Sequence, residues 1–340
     1  MLALSRDMAA PCAWFGAALS RRSGATGSFT GSEPDMLARL QKGLAFGLLA
    51  LAVLWAALAW RAGHPMWAVA GAIVVLCLHA LVLGIEFVLL ALGRRDDPAP
   101  HASAALLGAA WWGETCAAAR VFFWRQPFRS RRWPDHLPQA ARGRIGVLLV
   151  HGFFCNRGLW NRWCERLHSA GVPFVALNLE PAFDSIDEYI GLVEQGVAAL
   201  EGCTGSAPVV VAHSMGGLAV RRWYAEQPDA ERVAHVVTIG TPHHGTWLAR
   251  LALAHNARQM RLHSRWLATL AAREPTQRHE RFTCFYGHCD NIVFPPSTAT
   301  LPGAENRHLA GTAHMAMADH PAPWAELERR LAASPPALTR

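Results

Sequence analysis

The sequence predicts an α/β fold, a mostly parallel sheet with helices on both faces, preceded by two transmembrane helices. Three observations carry this. From Arg144 onward, short β-branched apolar runs alternate with amphipathic stretches, as strands buried on both faces alternate with helices laid over them. Ahead of them lie two long apolar stretches almost free of charge, Gly43 to Trp60 and Met66 to Leu92. Finally, the run Val209 to Val211 leads straight into Ser214, with the small residues Ala212 and Gly216 two positions to either side.

The apolar stretches account for a composition that is 52% hydrophobic and only 17% charged over 340 residues. The first carries no charge, and the second only Glu86 and His79. Arg61 to Pro65 joins them, a linker long enough only for an antiparallel turn, so a transmembrane hairpin is expected over 36–95. A secretory signal is disfavoured, because the first stretch lies far from Met1 and no small-residue cleavage site follows. Arg39 and Lys42 before the hairpin and Arg94 and Arg95 after it outnumber Arg61 in the turn, which puts both ends on the cytoplasmic side. Glu86 inside the second span is expected to be protonated or hydrogen bonded between helices. Residues 1–35, rich in Gly, Ser and Ala, are expected to be disordered, or untranslated if Met36 is the start.

Residues 96–143 are read as a juxtamembrane linker. In RVFFWRQPFRSRRWPDH, from Arg120 to His136, basic and aromatic residues interleave as they do in segments that lie on anionic headgroups. That reading accounts for part of the net charge of +7 without nucleic acid as a partner. Eight cysteines without a C-x-x-C pair give no metal framework, and no acidic cluster marks a calcium site.

Within 144–340 the expected strands are Ile145 to Val150, a second in VPFVALNLEP, the Val run before Ser214, one in HVVTIG, Phe282 to Tyr286, and Asn306 to Leu309. Ser185 and Glu188 have capping-box spacing at the start of a helix, and an amphipathic helix closes the chain from Trp324. Residues 247–280 form an insertion of apolar residues at helical spacing, read either as a lid or as plain cap helices. Ser214 stands at a strand-to-helix turn, where small neighbours let the chain turn sharply and expose the hydroxyl as a nucleophile. Such a serine needs a base, an acid to orient the base, and donors for the oxyanion. Asp290, after Phe282 to Tyr286, and His314, after the last strand, stand in the right chain order at strand ends. His151 and Gly152 end the first strand, so the N–H groups of Phe153 and Met215 can face the oxyanion. Phe153 and Phe154 are expected to wall an apolar acyl pocket, which His151, Gly152, His213 and His243 also border. His243 and His244 are adjacent in TPHHGT and point in different directions, so they do not make a metal site.

These residues carry a resemblance. The HGF strand end, the Ala-His-Ser-Met-Gly turn and TPHHGT, in this order from about Arg144 to Ala333, resemble the α/β-hydrolase superfamily, and within it bacterial triacylglycerol lipases and esterases. The resemblance implies Ser214 as nucleophile, Asp290 as acid, His314 as base, Phe153 and Met215 as oxyanion donors, and no cofactor. It implies cleavage of carboxylic esters of acyl or lipid-like groups, and the charges flanking the hairpin lead to the expectation of a bacterial inner membrane with the hydrolase domain in the cytoplasm. Acyl transfer or amide cleavage by the same triad, and a non-catalytic membrane protein on this scaffold, are the alternatives. The hairpin departs from the secreted members of that group.

Overall fold

The computed structural model describes residues 35–93 and 97–333. The expectation for residues 1–34 and the charges of Arg94 and Arg95 lie outside the described residues. Four N-terminal helices come first: α1 (Met36–Arg61), α2 (Pro65–Leu76), α3 (Leu78–Gly93) and α4 (Ala104–Arg120). A π-helical turn, Val121–Arg125, leads from α4 into the short α5 (Gln126–Arg129).

The rest alternates strand and helix: β1 (Val147–Val150), α6 (Asn161–Ser169), β2 (Phe174–Ala176), α7 (Ile190–Thr204), β3 (Val209–His213), α8 (Met215–Tyr224) and β4 (His235–Ile239). Then come α9 (His255–Gln259), α10 (Arg265–Arg273), β5 (Phe282–Tyr286), β6 (Glu305–His308), α11 (His314–Ala318) and α12 (Pro321–Ala332). All six strands are parallel, in the order β2-β1-β3-β4-β5-β6.

The strand sequences explain this burial. Leu148, Val150, Val210, Ala212 and Val236 face one layer, with Val193, Val197, Leu218 and Trp223 of α7 and α8. Their neighbours Val147, Leu149, Val209, Val211, Val237 and Ile239 face the other, with Trp163 and Leu167 of α6 and Leu327 of α12. In β1 and the Val209–Ala212 run of β3 both residues of each strand repeat are apolar because each face is covered. Gly196 lets α7 approach closely, since a Cβ there would lie 2.6 Å from Leu148 Cδ1.

Two local readings change. Ser185 caps a 3-10 turn, Ile186–Tyr189, by accepting from the Asp187 N–H and donating to the Asp187 carboxylate, and α7 starts only at Ile190. The nearer carboxylate at position 187 takes the serine, so Glu188 forms no capping box with it. The last strand begins one residue early, at Glu305.

The expectation of two transmembrane helices is corrected. Among the described residues one helix, α1, is long and apolar enough to cross a membrane, about 39 Å at 1.5 Å per residue. The second apolar stretch is broken between α2 and α3, which meet at 56°. The bend lets α3 bury Phe87 and Leu90 with Phe294, Cys289 and Ala313, while Trp111 Nε1 donates to the Ala80 carbonyl near the break. Beyond this, α1 and α2 form a tight hairpin in which Trp55 lies over Gly71 and donates to the Trp67 carbonyl at 2.8 Å. Most large side chains of these two helices point outward, among them Phe46, Leu49, Leu54, Leu58 and Val69.

Part of the segment 97–143 packs on the sheet domain. Phe122 and Trp133 pack into the second layer of the core, Arg125 pairs with Asp319 at 3.0 Å, and Arg157 pairs with Asp135 at 2.7 Å. Phe122 and Trp133 are partly buried there, while Trp112, Trp124 and Phe128 are exposed.

Leu148→Ala leaves a hole between β1 and α7 and is expected to lower stability by about 2–5 kcal/mol, read as a lower urea midpoint with an unchanged slope.

Candidate active site

At the end of β3 the chain turns with Ser214 at φ 54° and ψ −130°, and α8 starts at the next residue. A non-glycine residue holds positive φ only when its surroundings enforce it. Here the Ser214 N–H donates to the Ile239 carbonyl at 2.8 Å, and the Thr241 hydroxyl donates to the Ser214 carbonyl at 2.9 Å. Two glycines give the turn its room. A Cβ on Gly216 would lie 2.4 Å from the His151 carbonyl oxygen, and one on Gly152 would lie 2.6 Å from Ser214 Cβ. Met215, as first residue of α8, has an N–H that helix geometry leaves unpaired, and Phe153 follows Gly152 against this turn.

Asp290 sits in the loop after β5 and is buried. One carboxylate oxygen accepts from the N–H groups of Ile292 and Val293 at 2.9 and 2.8 Å. The other meets His314 Nδ1 at 3.0 Å. Gly240 keeps this pair free of obstruction, since a Cβ there would lie 3.1 Å from both atoms of the bond. Burial alone would push the His314 imidazole down, but Asp290, with help from Glu114 and Glu86, holds it above the ordinary histidine range.

Ser214 and His314 line one cavity of about 580 Å3 with His213, Phe153 and Phe154. His213 packs its ring 4.6 Å from that of His314, and its Nε2 lies 3.1 Å from the His314 carbonyl, so it holds its proton there as donor. Burial keeps this imidazole neutral by pushing it well below the usual range. Phe153, Phe154 and Phe183 form a ring cluster, with Phe154 at φ 55°.

Two expected neighbours are elsewhere. His151 is buried with Nε2 accepting from the Leu179 N–H at 2.9 Å and Nδ1 3.0 Å from the Gly152 carbonyl, so both ring nitrogens serve the backbone. Burial pushes it down to about 4, and it braces the Gly152 turn without lining the cavity. His243 bonds to the Thr238 hydroxyl at 3.0 Å and lines a different cavity, with His244, Leu92 and Ser297. Nor does the insertion 247–280 reach the Ser214 cavity. It packs instead through Asn256, Gln259 and Trp266 onto Ala182, Ser185 and Asp187.

The N-terminal helices take that place. Leu44 of α1, His79, Val82, Leu83 and Glu86 of α3, and Glu114 and Ala118 of α4 line the cavity opposite Ser214. Three polar side chains fasten them. Gln41 Nε2 donates to the Gln126 side chain at 2.6 Å and to the Phe154 carbonyl at 3.2 Å. Glu86 accepts from Asn291 Nδ2 at 2.7 Å, and Asn291 Oδ1 accepts from the His314 N–H at 3.3 Å. Glu114 accepts from the N–H groups of Met315 and Ala316, capping α11 beside His314. Burial pushes the Glu114 carboxyl up to about 7 despite those bonds. Asn291 and Glu114 were missed from the sequence. The one signal for Glu114 is a single carboxylate in the apolar run AALLGAAWWGETCAAA.

A serine at a positive-φ turn after the third strand of a parallel sheet, with an Asp–His pair on later loops, defines a class of protein. A profile of the alpha/beta hydrolase family matches residues 147–338, and the chain belongs to that family. The fold is similar to that of the Bacillus licheniformis lipase BlEst2 in its mature form, with 16% identity, 58% of this chain and 96% of the lipase covered, and a TM-score of 0.51. It is also similar to Aspergillus fumigatus lipase B, with 23% identity, 60% of this chain covered and a TM-score of 0.51. The match spans 56% of that second lipase. At these identities the likeness is one of fold.

Asp290→Asn removes the charge that favours the protonated His314 ring while leaving the ring buried. NMR titration of the His314 ring is expected to move from above the ordinary histidine range in the native chain to below it in the variant.

Proposed function

We propose that the protein is a membrane-anchored serine hydrolase of carboxylic esters, with Ser214 as nucleophile, His314 as base and Asp290 as acid. The observation that carries this is the Asp290–His314 hydrogen bond at 3.0 Å, with the ring in the same apolar cavity as a serine held at positive φ. Ser214 Oγ attacks the ester carbonyl carbon while its proton passes to His314 Nε2, and the carbonyl oxygen takes the negative charge towards the N–H groups of Phe153 and Met215. The C–O bond to the alcohol then breaks, and His314 returns the proton to the leaving oxygen. Water, deprotonated by the same ring, releases the acid and restores the Ser214 hydroxyl. Asp290 keeps the Nδ1 proton in place and stabilises the imidazolium. The raised His314 places the acid limb of the pH profile above the usual histidine value, because only the neutral ring accepts the serine proton.

The anchor is α1, entering the membrane from the cytoplasmic side, with α2 folded back against it and α3 running along the hydrolase domain. Besides the outward apolar side chains, a basic concavity of about 490 Å3 at the foot of α1 supports it, lined by Arg39, Lys42, Arg129 and Arg132, among others. Anionic headgroups would lie there.

With p-nitrophenyl butyrate, Ser214→Ala is expected to lower kcat by on the order of 10^6 and Asp290→Asn by roughly 10^4. A fluorophosphonate probe labels the native chain at residue 214 and not the Ser214→Ala variant. Full activity in Ser214→Ala would remove the mechanism.

A further inference from the structure

Resting on the proposed ester hydrolysis, we infer that the N-terminal apolar helices are the acyl-binding wall of the active site, and that the acyl chain of a bilayer lipid ester reaches Ser214 between α1 and α3. A helical anchor that only tethered the domain would have no reason to shape the catalytic cavity. Here Leu44, Val82 and Leu83 close the side of the cavity opposite the elbow, and the insertion read as a lid or as plain cap helices takes no part in it. Leu44 and Val82 line the cavity and are nevertheless 50% and 51% exposed, so the cavity reaches the outer surface at these two side chains. That surface continues into the outward apolar faces of α1 and α3, through Phe46, Leu81, Ile85 and Val88. An acyl chain passing from lipid to Ser214 therefore meets apolar side chains throughout and is never transferred through water.

The polar groups fix the depth. Arg39 and Lys42 set the headgroup level at the foot of α1, and Leu44 lies just beyond them on the same helix. An ester carbonyl, found directly beneath the headgroups of a glycerolipid, is thus level with the cavity, while its chain points the way α1 runs. Gln41, Glu86 and Glu114 hold the helices against the catalytic loops, so the wall and the reacting groups move as one body.

The full-length chain in phosphatidylcholine vesicles is assayed with p-nitrophenyl butyrate and p-nitrophenyl laurate. In the native chain kcat/KM rises by roughly fourfold per added methylene until the cavity is filled, equivalent to about 0.8 kcal/mol each. Val82→Trp and Leu83→Trp fill the cavity and are expected to lower the laurate-to-butyrate ratio at least tenfold. Val69→Trp, the same added bulk on the outer face of α2, leaves the ratio at the native value. If the tryptophan variants do not fold, Leu44→Ala and Leu83→Ala lower the ratio severalfold by removing apolar contacts. A ratio unchanged in the cavity variants, or lowered equally by Val69→Trp, overturns the inference while the ester hydrolysis stands. Absence of both fluorophosphonate labelling and ester cleavage in the native chain overturns the parent reading, and this one with it.

Discussion

Gln41, Glu86 and Glu114 lie among apolar side chains, and each reaches with a polar atom to a segment beside Ser214. Gln41 holds the Phe154 carbonyl, Glu86 holds Asn291, and Glu114 holds the first N–H groups of α11. An unpaired polar group at such a depth costs several kcal/mol, so the bonds of Glu86 and Glu114 favour one position of the helices. Around the bonds, Phe87 and Leu90 pack on Phe294 and Ala313. Apolar packing supplies adhesion without direction, and the three polar side chains supply the direction.

The same joint reaches the chemistry. Asn291 stands between Glu86 and the His314 N–H, next in the chain to Asp290, whose carboxylate orients the ring. Glu114 sits at the positive end of α11, where a carboxylate is favoured by the helix dipole and by two N–H donors. In the proposed mechanism the His314 imidazole becomes cationic, and Glu114 and Glu86, when ionised, favour that charge. Burial would otherwise oppose that charge, as it does in His151 and His213, which both stay neutral.

Much of this was legible. The Val run, the glycines around Ser214, and the chain order of Asp290 and His314 depend on local rules, since a strand covered on both faces must be apolar and a sharp turn must be small. Misreadings came where distance in space decided. Ser185 took Asp187 in place of Glu188, because a side chain bonds to the nearest suitable partner in the folded turn. His151 and His243 look like active-site histidines in the chain and are bound to backbone and threonine in the fold. The second apolar stretch had span length, but its bend between α2 and α3 follows from packing on loops some two hundred residues away.

Periodicity, turn chemistry and motif order are properties of neighbours along the chain, and they determined the alternating sheet, the strained serine turn and an apolar N-terminal segment. Which wall closes the cavity over Ser214 depended on long-range burial and on pairing of isolated polar side chains. Glu114 with Met315, and Glu86 with Asn291, are partners about two hundred residues apart, and no local rule joins them. Only the tertiary structure could turn an apparent anchor into part of the site, because burying a carboxylate requires its donors to be already in place.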